Sequence, residues 1–216
     1  MKKYSKVLFD LDGTIIDSGE GVTNSVAYAL EKFGIVVEDK HTLECFIGPP
    51  LIYSFMTFYG FDEQKANKAI EYYREYYTEK GIFEGYIYDG IEALLKKLKK
   101  AEKTVILATS KPEIFAKRIL DKAGLSKYFD YIAGASLDEK TRTTKIEVLD
   151  YVIKECKIDT ESAIMIGDRF YDIEGARAFG IPCVAVLYGY GSAEEFKKYE
   201  AEYIVDKAEN IAEILI

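Results

Sequence analysis

One stretch decides the fold, Val7-Leu8-Phe9-Asp10-Leu11-Asp12-Gly13-Thr14. It opens with a short apolar run, which is typical of a strand buried on both faces of a parallel sheet. Two carboxylates follow, two positions apart, at the end of that strand. Buried carboxylates are costly unless a positive charge lies beside them, so we expect a cation or a basic side chain near Asp10 and Asp12. Gly13 allows the chain to turn sharply away at this point.

Two simpler interpretations of this stretch compete with a reactive site. A strand followed by an ordinary polar turn would also contain Asp and Gly. A calcium-binding loop counted from Asp10 needs Gly at position six and Glu at position twelve, where the sequence has Ile15 and Gly21. The spacing therefore excludes a calcium loop, and the choice between a plain turn and a reactive site depends on the rest of the chain.

Further short apolar runs bounded by turn signals predict the remaining strands. They alternate regularly with amphipathic helical patterns from about Tyr88 onward, which indicates an open α/β sheet covered on both faces. The predicted strands are Val7–Phe9, Thr104–Thr109, Tyr131–Ile132, Ala163–Ile166, Cys183–Leu187 and Tyr203–Val205. The fold class is therefore α/β, a Rossmann-like open parallel sheet with an inserted helical cap.

The insertion occupies residues 18–86, where helical patterns replace the strand–helix alternation. The sequence thus predicts a core domain of residues 1–17 and 87–216 and a cap domain of residues 18–86. The cap follows the carboxyl end of the first strand, where open α/β sheets bind ligands, so it is placed to act as a lid. The tyrosines of the predicted helix Glu63–Glu79 are interpreted as packing residues.

Composition limits the function classes. The chain of 216 residues has 37 acidic and 29 basic side chains, a net charge of −8, which argues against a nucleic acid polymer or a membrane surface as partner. It lacks an apolar run long enough for a membrane span or a signal peptide, so we expect a cytoplasmic protein, either a monomer or a homodimer. Three cysteines without metal-like spacing and a single histidine indicate chemistry based on carboxylates.

Three more elements bring reactive groups to the same sheet edge. The strand Thr104–Thr109 ends in hydroxyls, Thr109 and Ser110, ahead of a helix whose free N–H groups could bind phosphate. Lys145 opens a helical stretch after a polar loop. The strand Ala163–Ile166 is followed by an acidic pair, Asp168 and Asp172. Each element alone is weak, but together and in this order they are highly specific.

The full set resembles the haloacid dehalogenase-like hydrolase superfamily, whose four motifs are all present in order. The resemblance covers essentially the whole chain and implies a phosphatase. It assigns catalytic roles to Asp10 as nucleophile, to Asp12 as general acid and base, and to Thr109 and Lys145 as ligands of the transferring phosphoryl group. It implies Mg²⁺ bound by Asp10, Asp168, Asp172 and the backbone carbonyl of Asp12, with Ser110 assisting substrate binding.

Substrate indications are weaker. The turn Gly48-Pro49-Pro50 of the cap is rigid, and Gly48 and Pro49 are candidate substrate contacts, together with Arg142. With the Gly189-Tyr190-Gly191 turn they resemble phosphoglycolate phosphatases and, within these, bacterial 5′-nucleotidases. The expected partner is a small phosphorylated metabolite; a nucleoside monophosphate, phosphoglycolate and a sugar phosphate remain open.

Several alternatives within and outside the superfamily remain. Haloalkanoate dehalogenases lack the second aspartate, so Asp12 disfavours that chemistry. Phosphonatases use a cap lysine that forms a Schiff base; Lys32 and Lys40 are candidates, but nothing in the sequence marks either as buried. A β-phosphoglucomutase-like enzyme would share the motifs but release an isomerised sugar phosphate. A non-catalytic phosphate-binding module would be expected to have lost a catalytic carboxylate, and none is lost here.

Overall fold

The computed structural model describes residues 4–138 and 141–216. Backbone contacts divide the chain into two compact units. One unit consists of Met1–Ile16 and Ile87–Ile216, and the other of Asp17–Tyr86. Each unit is described separately below.

The first unit is built on a six-stranded sheet in which every neighbouring pair is parallel. The strands are β1 (Lys6–Phe9), β4 (Thr104–Pro112), β5 (Tyr131–Ala135), β6 (Ala163–Gly167), β7 (Cys183–Val186) and β8 (Tyr203–Val205), in the order β5-β4-β1-β6-β7-β8. Two short strands, β2 (Ile16–Asp17) and β3 (Tyr86–Ile87), pair separately. The predicted α/β parallel sheet is confirmed.

The register explains why polar groups collect beside β1. Phe9 pairs with Leu107 of β4 on one side and with Ile166 of β6 on the other. Strands β1 and β6 therefore end side by side next to β4, which continues beyond them, and the residues that follow β1 and β6 share one edge with the last residues of β4. Strand order reverses at β1, which makes this edge the topological switch point where open α/β sheets bind ligands.

Six helices accompany the sheet. They are α4 (Ile91–Lys100), α5 (Glu113–Lys122), α6 (Lys145–Glu155), α7 (Phe170–Arg177), α8 (Ala193–Lys198) and α9 (Ala208–Leu215). One face of the sheet packs on α6 and α7 through fully buried side chains such as Leu8, Met165 and Val148. The continuous apolar runs of β6 and β7 are buried throughout, as strands covered on both faces require.

Several element boundaries differ from the sequence prediction, such as the end of β5, which lies at Ala135 instead of Ile132, and two of the differences have a clear physical cause. Strand β4 continues through Pro112 instead of ending at Thr109, because the register shifts between these residues and Pro112 pairs with Ala135. Helix α7 begins at Phe170, two residues before Asp172, where the helical pattern of the sequence predicts its start. The Asp172 carboxylate accepts the Arg169 N–H at 3.2 Å, which closes the first turn earlier than the apolar pattern alone indicates.

The second unit is helical. It contains α1 (Gly19–Glu31), α2 (Leu51–Tyr59), α3 (Glu63–Glu79) and two 3₁₀ segments, Lys40–Phe46 and Gly81–Phe83. The bounds of α3 match the prediction, and two of its tyrosines, Tyr73 and Tyr77, are buried with their rings stacked. The phosphonatase candidates Lys32 and Lys40 are both exposed. Within the described residues of the whole chain, no helix has the length and apolarity to cross a bilayer.

Candidate active site

Three carboxylates meet at the shared edge of β1 and β6. Asp10 follows β1 directly, Asp168 follows β6, and Asp172 lies in the first turn of α7. All three are buried, and one carboxylate oxygen from each lies within 4.8 Å of the others. The structure therefore brings together the acids that the sequence had placed 158 and 162 positions apart (168 − 10 and 172 − 10).

Lys145 is the positive partner of this cluster. Its Nζ lies 2.8 Å from Asp10 Oδ1 and 2.8 Å from Asp172 Oδ1, and it donates to the Ala108 carbonyl at 2.9 Å. Burial by itself lowers the pKa of Lys145, but the two carboxylates outweigh burial and raise the pKa above its ordinary value. Lys145 therefore carries its charge within the buried cluster.

Local sequence fixes where Lys145 begins its helix. Thr144 caps α6 by accepting the Glu147 N–H, and the Glu147 side chain accepts the Thr144 N–H in return. This capping box makes Lys145 the first helical residue. Its stem packs against α7, where a Cβ on Gly175 would lie 2.6 Å from Lys145 Cγ. The capping box therefore sets the position of Lys145 in the chain, and Gly175 leaves room for its side chain to reach the acids.

Burial dominates the electrostatics of the acids. It raises the pKa of Asp10 to about 6, even though Lys145 opposes the shift. Burial also raises the pKa of Asp168 well above its ordinary value, and repulsion from Asp172 and Asp10 adds to the effect. Both acids thus resist ionisation until a further positive charge is present.

A divalent cation suits this set of groups. In the described part of the chain, four acidic side chains and two lysines lie close together at this edge of the sheet. Their formal charges leave an excess of two negative charges. The acids are Asp10, Asp12, Asp168 and Asp172, and the lysines are Lys111 and Lys145. The donors are all oxygens, which Mg²⁺ prefers in phosphate sites. Asp10, Asp168 and Asp172 are the side chains that could hold it, and the role of the Asp12 carbonyl stays a prediction.

Asp12 has a lysine of its own, which sequence reasoning missed. Lys111 Nζ donates to both carboxylate oxygens of Asp12 at 2.9 Å. The two side chains are 7% and 12% exposed, respectively, so the ion pair is largely shielded from water. The only sequence signal was its position just after Thr109 and Ser110, where a basic residue reaches the same sheet edge.

Small residues surround Asp168. A Cβ on Gly13, Gly189 or Gly191 would collide with Asp168 atoms, so the chain approaches Asp168 from both sides only because these positions are glycine. The Tyr190 N–H donates to Asp168 Oδ2 at 2.8 Å. The turn formed by residues 189–191 therefore fixes the position of this carboxylate.

The predicted hydroxyls and Arg142 lie in the first unit. Thr109 is buried, and its Oγ1 accepts the Lys111 N–H at 3.2 Å, while Ser110 is half-buried. Arg142 has its guanidinium 4.2 Å from the ring centre of Tyr151 and 3.9 Å from a Glu113 oxygen. The contacts of Arg142 are thus with α5 and α6, and its proposed role toward a substrate stays a prediction.

Gly48 and Pro49 lie in the second unit, immediately before α2. Gly48 is exposed with φ of +104°, a backbone conformation that favours glycine. Pro49 is half-buried, and Pro50 caps α2. Pro49 and Pro50 each restrict the backbone φ angle in this turn, and its proposed contact with a substrate stays a prediction.

A sequence profile of the haloacid dehalogenase-like hydrolases matches residues 7–186. The chain belongs to the haloacid dehalogenase-like hydrolase family. The match spans the sheet from β1 to β7, including all four acids and both lysines described above. The family resemblance read from the motifs is therefore confirmed.

Individual relatives of this haloacid dehalogenase-like hydrolase share nearly its whole length. It is 42% identical to a 5′-nucleotidase of Pseudomonas aeruginosa over 95% of this chain and 93% of the relative. It is 37% identical to the tyrosine-protein kinase PtkA of Mycobacterium tuberculosis, over 94% of this chain and 68% of the relative. A crystal structure described as a "predicted phosphatase" from Clostridium acetobutylicum matches with a TM-score of 0.95 and 50% identity, covering 99% and 98% of the two chains.

These similarities confirm two coarser predictions. The chain is an enzyme of the phosphoric monoester hydrolase class, and it is a phosphatase of the haloacid dehalogenase-like family. The relatives differ in what their names say they act on, so the substrate of this chain is a separate question.

Proposed function

We propose that this phosphatase hydrolyses nucleoside monophosphates with Mg²⁺, through an aspartyl-phosphate formed on Asp10. The observation that carries the proposal is the buried contact of Asp10 with Lys145 at 2.8 Å, beside two further acids. A nucleophile facing a dianionic phosphate needs positive charge beside it, and Lys145 supplies that charge. The 42% identity to a 5′-nucleotidase supports the choice of substrate.

In the first half of the reaction, a carboxylate oxygen of Asp10 attacks the phosphorus. The bond from phosphorus to the leaving oxygen breaks, and that oxygen takes a proton from Asp12. Lys145 and the Thr109 hydroxyl hold the oxygens of the transferring group, on which negative charge is spread. Ser110 extends this contact on the same strand.

In the second half, water attacks the phosphorus of the aspartyl-phosphate. The bond between phosphorus and the Asp10 oxygen breaks, its electron pair returns to the carboxylate, and Asp12 accepts the proton of the attacking water. Mg²⁺, when bound by the acidic cluster, would neutralise charge on the phosphoryl oxygens. Asp172 keeps Lys145 in place through its own contact at 2.8 Å.

The products of the reaction distinguish the proposed activity from its alternatives. Phosphoglycolate would be hydrolysed by the same residues. A mutase would return an isomerised sugar phosphate, and a binding module would return the phosphomonoester unchanged. Because one relative is named a tyrosine-protein kinase, phosphotyrosine is added to the phosphomonoesters to be tested.

The test is phosphate release from a panel of nucleoside monophosphates, phosphoglycolate, hexose phosphates and phosphotyrosine, with Mg²⁺ and with a chelator. We expect metal-dependent release that is fastest for nucleoside monophosphates and is lost in Asp10→Asn. If phosphate were released fastest from phosphoglycolate, that result would contradict the proposal that nucleoside monophosphates are the substrate. Release that persists in Asp10→Asn would contradict the mechanism, and labelled phosphate trapped on the wild type at Asp10 would support it.

A further inference from the structure

The ion pair between Lys111 and Asp12 is both bidentate and shielded from water. Lys111 contacts both oxygens at 2.9 Å, and both side chains are almost entirely shielded from water. The nearby pair of Lys117 with Glu113 is a surface contact, with side chains 50% and 26% exposed. Surface pairs restrain a carboxylate weakly, whereas a shielded pair to both oxygens restrains its rotation about both side-chain bonds.

The backbone that carries Lys111 is itself fixed. Strand β4 runs on to Pro112, and the Lys111 N–H donates to Thr109 Oγ1 at 3.2 Å. On the neighbouring strand, a Cβ on Gly134 would collide with the Lys111 carbonyl oxygen, so β5 packs closely against this residue. Lys111 is therefore presented from a packed strand end, which restricts where its ammonium can lie.

We propose that Lys111 is a positioning residue for Asp12, one that holds the Asp12 carboxylate in the orientation needed for proton transfer. This inference rests on the proposed function, in which Asp12 gives a proton to the leaving oxygen and later takes one from water. Lys145 serves the other reacting aspartate, since it contacts Asp10 at 2.8 Å. The two aspartates thus contact different lysines, Lys111 on β4 and Lys145 on α6.

The choice of substrate separates positioning of Asp12 from a general effect. With p-nitrophenyl phosphate, the nitrophenolate leaves without a proton, so Asp12 acts only when water attacks the aspartyl-phosphate. Removing Lys111 should then lower kcat and leave kcat/KM unchanged, so that KM falls with kcat. With a nucleoside monophosphate, the leaving alkoxide needs the proton, and both kcat and kcat/KM should fall.

The experiment compares wild type with Lys111→Met on both substrates, after urea unfolding has shown that each variant folds. We expect kcat on p-nitrophenyl phosphate to fall roughly 10- to 100-fold, at or below the lower end of the range of about 10²- to 10⁴-fold for losing a general acid–base group, because Asp12 itself is still present. A burst of nitrophenolate equal to the enzyme concentration should precede the slow phase. Lys111→Arg should restore part of kcat. Lys117→Met should leave kcat and kcat/KM unchanged on both substrates.

A double-mutant cycle that combines Lys111→Met with Asp12→Asn gives a second readout, the coupling between the two residues. If Lys111 acts through Asp12, the loss from Lys111→Met and the loss from Asp12→Asn should be far from additive. Additive losses would overturn the inference, as would equal loss of kcat/KM on both substrates, which would place Lys111 on the phosphoryl group. A wild type that hydrolyses neither substrate would instead overturn the proposed function itself.

Discussion

Asp10→Asn should make the metal-free protein more stable while removing its proposed activity. Burial raises the pKa of Asp10 from 3.8 to about 6, and this shift already includes the opposing attraction of Lys145. A shift of about two units corresponds to about 3 kcal/mol at roughly 1.4 kcal/mol per unit. That free energy is the cost of ionising Asp10 in the folded chain, and asparagine does not ionise.

The pH dependence follows from the direction of the shift. Below the unfolded pKa of 3.8, Asp10 is protonated in both states and costs nothing. As the pH rises to about 6, the unfolded chain releases its proton first, so wild-type stability falls relative to Asp10→Asn. Above that range the variant keeps its full advantage of about 3 kcal/mol, an upper value because Lys145 loses one partner.

The assay is urea unfolding with a chelator, at about pH 8 and at about pH 4.5, where the advantage should have fallen to about 1 kcal/mol. Asp206→Asn, an exposed aspartate of the same unit, is the control and should change stability by less than about 0.5 kcal/mol. Adding Mg²⁺ should stabilise wild type more than Asp10→Asn. A variant that is less stable than wild type at about pH 8, or equally stable at both pH values, would refute the reasoning.

Two further predictions test the surroundings of the acids. Gly189→Ala should displace the turn against Asp168, because its Cβ would collide with Asp168 Cβ, and Mg²⁺ affinity measured by calorimetry should fall roughly 10- to 100-fold; affinity within twofold of wild type would contradict the role given to this turn. Lys145→Met should leave Asp10 and Asp172 without their buried cation, and unfolding at about pH 8 should show a loss of about 3–5 kcal/mol. An unchanged free energy of unfolding would mean that Lys145 does not compensate these charges.

The same physical cause links these predictions. The fold gathers four acids around two lysines at a sheet edge, so the folded chain carries uncompensated charge in a poorly solvated place. Such an arrangement lowers stability unless a ligand completes it, which is a common trade-off at functional sites. Binding of a cation or of a substrate with its cation should therefore raise stability as well as allow turnover.

Local sequence determined most of the fold. The strand Tyr203–Val205 and the helix Glu63–Glu79 have the predicted bounds, and β1 differs by one residue. Apolar runs buried on both faces leave few other arrangements, and the four motifs in order identified the family. At two of the boundaries where the prediction was wrong, the end of β4 and the start of α7, pairing and side-chain contacts from outside the local pattern set the boundary.

The candidate site divides in the same way. The sequence by itself determined which residue types reach the edge of the sheet, since residues that follow parallel strands must meet there. Only the tertiary structure decided their partners: Lys145 between Asp10 and Asp172, Lys111 on Asp12, and three glycines around Asp168. These contacts join residues distant in the chain, and their distances depend on register and packing. The spacing of residues in the sequence does not determine register or packing. It therefore identified the reactive groups but could not predict which of them contact each other.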